Sequence, residues 1–162
     1  MLVKNYLTRL IEIREELPKS QIAGPITVNV NSNGGDATQG LAIYDLIQTC
    51  GAKIRTVALG EAMSGGLMIF LAGHERWMYP NAILLTHFID AERMSEERPN
   101  KDYVLANFKR LDRLYERIIL ESSRLTKSQL KKLRETSKYI TAEEALKFGL
   151  THKIIINTDS VR

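Results

Sequence analysis

Apolar residues recur along this chain in two periods, one near two and one near 3.6 residues. Met1 to Leu17 carries Leu2, Tyr6, Leu7, Leu10, Ile11 and Ile13 among charges, a spacing that predicts an amphipathic helix ending before Pro18. Residues 26 to 31 alternate apolar and polar and predict a strand. Ser32-Asn33-Gly34-Gly35-Asp36 is a loop in which two glycines free the backbone to present N–H groups. From Ala37 to Thr49 the period returns to 3.6, with Leu41, Ile43, Tyr44, Leu46 and Ile47 on one side and Gly51 as the stop. Ile54, Thr56, Val57 and Leu59 predict a second strand stopping at Gly60, followed by a tight turn at Ala62 to Gly66 and an apolar helical run from Leu67 to Ala72. Short strands are expected around Trp77 to Tyr79 and Ala82 to Thr86, separated by a Pro80-Asn81 turn, with His87 directly after the second.

Residues 88 to 100 are polar, lack a core pattern and predict a mobile loop. Lys101 to Leu125 predicts the longest helix, about 37 Å at 1.5 Å per residue, with Val104, Phe108, Leu111, Tyr115 and Ile118 as its stripe. A helix of that length exceeds what one small sheet needs, so it is either a projecting element that packs on another subunit or an ordinary long surface helix. Thr126 to Gln129 and Thr141 to Glu144 are capping-box patterns, each opening a short helix, the second ending at Gly149. Between them, residues 136 to 140 form a tight connection. Lys153 to Ile156 predicts a final strand, and the last residues are expected to fray. Strands alternating with helices imply parallel βαβ units, an α/β fold whose functional residues gather at the strands' carboxyl ends. The Gly34-Gly35 loop, Ser64 and His87 all belong to that edge.

Composition narrows the classes. With 162 residues, 44% apolar and 26% charged, the chain fits one domain with a sizeable core. Its longest uncharged apolar stretch, Ala62 to Gly73, is too short to span a bilayer, and no leader pattern precedes the first helix, so a cytoplasmic protein is expected. One cysteine, Cys50, excludes an internal disulfide and a cysteine-built metal site, and three scattered histidines argue against zinc. No cofactor is implied. The net charge is +4, yet the densest basic run, Lys127, Lys131, Lys132 and Arg134, has no interleaved aromatics and reads as a solvated helix face rather than a nucleic-acid surface.

The candidate chemistry sits at Ser64. Small residues on either side let the backbone bend sharply and let another segment approach, as a nucleophile elbow requires, and a serine there would stand at a helix N-terminus whose unpaired N–H groups can hold an oxyanion. The elbow pattern asks for glycine two positions earlier, where this chain has Ala62. A serine beside glycines at such a turn is far more often a helix cap, so the rest of the chain must carry the assignment. A nucleophilic serine needs a base, an orienter for that base and oxyanion donors. His87 lies 87 − 64 = 23 positions on, at a neighbouring strand's end, within reach in a βαβ sheet. His74 and His152 read as structural.

Asn31-Ser32-Asn33-Gly34-Gly35, Gly40-Leu41-Ala42-Ile43-Tyr44-Asp45, Gly60-Glu61-Ala62-Met63-Ser64, Pro80-Asn81-Ala82 leading to His87, and Thr141-Ala142-Glu143-Glu144-Ala145 through Phe148-Gly149-Leu150 together resemble the proteolytic subunit of the Clp protease, ClpP, in family order from about residue 20 to 156. The resemblance implies a ClpP/crotonase-like fold of repeated ββα units with a protruding handle, matched by Lys101 to Leu125. It implies a serine endopeptidase with Ser64 as nucleophile, His87 as general base, and Gly35 and Gly65 as oxyanion-hole donors. It also implies a homo-oligomer of two stacked heptameric rings fed by AAA+ unfoldases. The family's aspartate falls on Ser137, with Thr136 as the occupant if the alignment slips by one. A hydroxyl can keep the histidine tautomer but brings no charge to the imidazolium, so weak, slow or gated peptidase activity is expected. The resemblance further implies that the segment lining the axial pore and meeting the ATPase would precede Met1, leaving the unfoldase contact in question. Asp36-Ala37 replaces apolar residues beside the substrate strand, which would favour basic side chains there. Two other readings stay open: a structural or regulatory ClpP-like subunit without useful catalysis, and a crotonase-type acyl-CoA enzyme.

Overall fold

The structure is a computed structural model that describes residues 11–12, 15–16, 24–89 and 100–156. In chain order the elements are β1 (Ile26–Ser32), α1 (Ala37–Thr49), β2 (Ile54–Met63), α2 (Gly65–Leu71), β3 (Glu75–Met78), β4 (Ile83–Leu85), α3 (Lys101–Glu121), α4 (Lys127–Thr136), α5 (Ala142–Phe148) and β5 (Lys153–Ile154). The helix expected over Met1 to Leu17 lies mostly outside the described residues. Ile11, Glu12, Glu15 and Glu16 are helical, and Ile11 is buried in one cluster with Ile43, Ile47, Ile54 and Ala72. Most of the expected loop at 88 to 100 and the terminal residues from 157 also lie outside them.

The named strands pair in parallel in a sheet ordered β1-β2-β3-β5, with β4 also joined to β2, as the βαβ order requires. β2 is the axis. β1 runs along one edge of it, while β3 pairs with Arg55 to Ala58 and β4 with Glu61 to Met63, so β3 and β4 follow one another along the other edge. That arrangement carries the chain after β4 to the height of the β2 end.

β2 does not stop at Gly60; it continues to Met63. Gly60 marks a bulge instead: Val30 pairs with Ala58 and Ser32 with Ala62, so β2 spends four residues where β1 spends two. The Asn31 side chain replaces the missing ladder bond, its Oδ1 accepting from Glu61 N–H at 3.1 Å. A Cβ at Gly60 would stand 2.8 Å from that oxygen. The bulge redirects the last residues of β2, with β4 alongside them.

α2 is buried all round, with Leu67, Met68, Phe70 and Leu71 in the main core. α1 packs against α2, its N-terminus capped by Asp36, whose carboxylate accepts from Thr38 N–H at 2.8 Å and Gln39 N–H at 3.0 Å. Both expected capping boxes form, at Thr126 with Gln129 and at Thr141 with Glu144. α3 ends at Glu121, four residues short of the expected Leu125. Serine side chains unwind it: Ser123 Oγ donates to Ile119 O at 2.7 Å and accepts from Leu125 N–H, while Arg124 N–H turns away to Phe148 O at 2.7 Å. Buried α3 residues begin only at Leu111, so its first ten residues project from the core. β5 is shorter than expected, because Ile155 N–H still bonds Met78 O but the ladder ends there among the described residues.

Candidate active site at Ser64

Ser64 follows directly on β2, and its N–H donates to Leu85 O of β4 at 3.0 Å. Its backbone is held at φ 50°, ψ −117°, a conformation that costs a non-glycine residue on the order of 1–3 kcal/mol and persists only where the surroundings enforce it. Ser64 occupies the N-cap position of α2, yet its hydroxyl makes no capping bond. The cap reading of this serine therefore does not hold, and the half-buried Oγ is left for another use.

The glycine loop comes in over it. Ser32 Oγ accepts from Gly34 N–H at 3.2 Å, and Gly34 and Gly35 take φ 111° and 141°. A Cβ on Gly34 would lie 2.9 Å from Ser64 Cβ and 3.1 Å from Met63 O, so only glycine allows the approach. Gly65, at the first turn of α2, lies against the same loop, its Cβ position 3.7 Å from Gly35 O. Among the described residues no acceptor is bonded by the N–H of Gly35 or of Gly65. Two unused backbone donors thus flank the serine.

Beneath them stands Tyr115 of α3, buried, its hydroxyl donating to Ala37 O at 3.1 Å and lying 3.1 Å from the Cβ position of Gly40. Burial, and then the charge of Asp36, pushes the phenol up to about 12. It is a neutral strut between α3 and the start of α1.

His87 is delivered by register. Met63 pairs with Leu85, so the residue two beyond Leu85 hangs just past the serine. The exposed imidazole has Nδ1 2.6 Å from the Phe88 carbonyl oxygen. A carbonyl only accepts, so Nδ1 is the donor in this contact, and in the neutral ring that leaves the Nε2 lone pair a general base needs. Among the described residues no hydrogen bond joins this ring to Ser64 Oγ.

Ser137 is the C-cap of α4, with φ 46° and ψ 40° in the left-handed region. Leu84 and Ile140 form an isolated antiparallel bridge through reciprocal bonds of 2.9 and 2.8 Å, three residues before His87 on one side and three after Ser137 on the other. The bridge ties the segment after Ser137 to the strand before His87, but the exposed Ser137 hydroxyl makes no bond to the ring among the described residues. It lines an open groove of about 700 Å³ with Leu133, Tyr139 and Phe148. The Thr136 hydroxyl is turned back onto Lys132 O at 2.9 Å and, among the described residues, also makes no bond to the His87 ring.

The basic run on α4 requires a correction. Lys127, Lys131 and Lys132 are exposed, but Arg134 is 2% exposed and shares the buried face with Leu130 and Leu133. Its guanidinium pairs with Asp112 of α3, approaches Glu116 at 3.8 Å, donates to His87 O at 3.3 and 3.4 Å, and covers the Phe88 ring at 4.2 Å. Asp112 also accepts from Ile89 N–H at 2.9 Å. The sequence signal was a charged residue at an apolar helical position, hidden among true surface lysines. Tyr115 was legible only as part of an apolar stripe.

His74 and His152 have structural duties: their Nδ1 atoms accept from Ile54 N–H and Arg76 N–H, each at 3.2 Å. Burial, then the nearby Arg76, lowers His152 below its ordinary value. Among the described residues no group of three or more acidic, histidine or cysteine side chains is placed to hold a metal, and no helix is long and apolar enough to cross a membrane.

Comparison with known proteins bears on the family and the fold. The family model described as Clp protease matches residues 8–158. An ATP-dependent Clp protease proteolytic subunit 1 from Corynebacterium glutamicum is 31% identical over 131 residues, 80% of this chain; the match spans 63% of that relative, less than two thirds of its length. Among solved structures, ClpP1 from Listeria monocytogenes superposes with TM-score 0.72 at 26% identity, and its N165D mutant with TM-score 0.73 at 25%, each covering 97% of this chain and 88% of the other. The α/β architecture is thus that of ClpP, and by the extent of the family match the chain belongs to the Clp protease family.

Proposed function

We propose that this protein is a serine endopeptidase subunit that cleaves unstructured polypeptide through an acyl-enzyme at Ser64. The observation that carries the reading is a strained serine whose hydroxyl is not used as a cap, flanked by two unbonded backbone N–H groups at Gly35 and Gly65. In this reading His87 Nε2 takes the Ser64 proton as Oγ attacks the scissile carbonyl. The Gly35 and Gly65 N–H groups meet the oxyanion, and the imidazolium then returns the proton to the leaving amine. Asp36, which caps α1 directly after the Gly34-Gly35 loop, supports a preference for basic side chains nearby.

The wider proposal is a homo-oligomeric, ring-forming subunit in the cytoplasm, with an AAA+ unfoldase as partner. The name of the Corynebacterium relative, an ATP-dependent protease subunit, supports it. A fluorophosphonate probe tests the chemistry: the assembled protein is expected to label at Ser64, with labelling abolished in Ser64→Ala and lowered by about 10³-fold or more in His87→Ala. An assembled, folded protein that takes no label refutes the peptidase.

A second reading, a structural subunit without useful turnover, is favoured by the serine at position 137 and by the missing Ser64 to His87 bond. Under it Ser137→Asp changes nothing, whereas in a weakened peptidase the added carboxylate, three residues from the bridge that anchors the strand before His87, raises peptide cleavage by at least tenfold. The acyl-CoA reading is not carried forward, since the family matched is that of the Clp protease.

A further inference from the structure

The buried guanidinium on α4 does more than fill space. Residues 130, 133 and 134 form the inward face of that helix, and an apolar side chain at 134 would pack there without the desolvation cost of a charge. The side chain present instead sends its contacts to one short stretch of chain. It donates to the carbonyl of His87, lies over the ring of Phe88, and pairs with Asp112, which in turn holds the N–H of Ile89. Three consecutive residues are thereby tied to α3 and α4, and the middle one supplies the carbonyl that meets His87 Nδ1.

We infer that Arg134, braced by Asp112, is a positioning residue that presents the Phe88 carbonyl to His87 Nδ1, so that a main-chain oxygen orients the base in this chain. The inference rests on the peptidase reading for its consequence in catalysis, but the geometry it asserts has its own readout. A neutral carbonyl fixes the tautomer and the ring plane as a carboxylate would, without adding a charge to stabilise the imidazolium. The charges that face the stretch among the described residues are Arg134, Asp112 and Glu116, which sum to −1 with the arginine protonated. The Arg134 Nη1 atom, close to Glu116 but without a hydrogen bond, is the slack corner of the clasp.

Ring nitrogen-15 NMR of His87 and the rate of fluorophosphonate acylation, both on the assembled protein, test the inference with Arg134→Lys and Arg134→Met. The wild type is expected to carry the His87 proton on Nδ1. Arg134→Met is expected to show both tautomers and a maximal acylation rate lower by about 10²-fold, with the probe concentration at half-maximal rate little changed. Arg134→Lys, which keeps the pairing with Asp112, falls less. If removing Arg134 leaves Asp112 unpaired and the chain unfolded, the Arg134→Met/Asp112→Leu double variant removes both charges and is read the same way. A wild-type tautomer and rate in the methionine variant overturn the positioning role while leaving the peptidase intact. An unreactive wild type whose His87 tautomer still depends on Arg134 preserves the positioning role and removes the peptidase.

Discussion

Ser64 is held by sterics on both flanks: its N–H is drawn to Leu85 O, and the Gly34 backbone presses within contact of its Cβ. A methyl group at position 34 would meet both an unfavourable φ and a filled space, so Gly34→Ala is expected to cost about 1–3 kcal/mol in chemical denaturation and to slow fluorophosphonate labelling markedly. Unchanged stability and labelling would show that the loop yields. The glycines around the serine are what made this residue legible in the sequence, because close backbone approach demands them. Ala62 was misleading as a departure from the elbow pattern: it is wholly buried in β2, and the residues that must be small lie at 34 and 66. Arg134 was not legible, because composition cannot separate a buried cation from its exposed neighbours three residues away.

Elements were read well where local chemistry decides them and poorly where partners do. The capping boxes at Thr126 and Thr141 need only four residues each and formed as expected. The length of β2 depends on Asn31, thirty residues upstream of the N–H it rescues, and the end of α3 depends on Phe148 O, so neither boundary is written locally. Tyr115 joins two such elements. Because its phenol is favoured in the protonated form, its contribution is full below pH 10 and is lost as pH rises from 10 through about 12. Tyr115→Phe is expected to lose about 1 kcal/mol at neutral pH, from the bond to Ala37 O, and to flatten the difference in stability across that alkaline window in thermal melts. A variant that tracks the wild type through the window would show that the phenol titrates as if exposed.

At the scale of the whole molecule, the first ten residues of α3 have no buried member, although Val104, Leu105 and Phe108 remain half-covered and Tyr103 is 80% exposed. An apolar stripe extending beyond its own core is the surface a second copy would complete, in keeping with the projecting helix expected from the sequence. Phe108→Asp is therefore expected to lower the mass of the native assembly without loosening the monomer core, as native mass measurement and near-ultraviolet dichroism would report together. Assembly that survives this change would place the α3 stripe outside the interface between copies.

The bridge between Leu84 and Ile140 ties the short strand before His87 to a residue near the end of the chain. During synthesis, the Ser64 turn can be made before that tie exists, whereas the strand before His87 gains this bridge only after residue 140 has left the ribosome. The two sides of the proposed site are thus completed at different moments of translation, the Ser64 turn first and the support of the strand before His87 later.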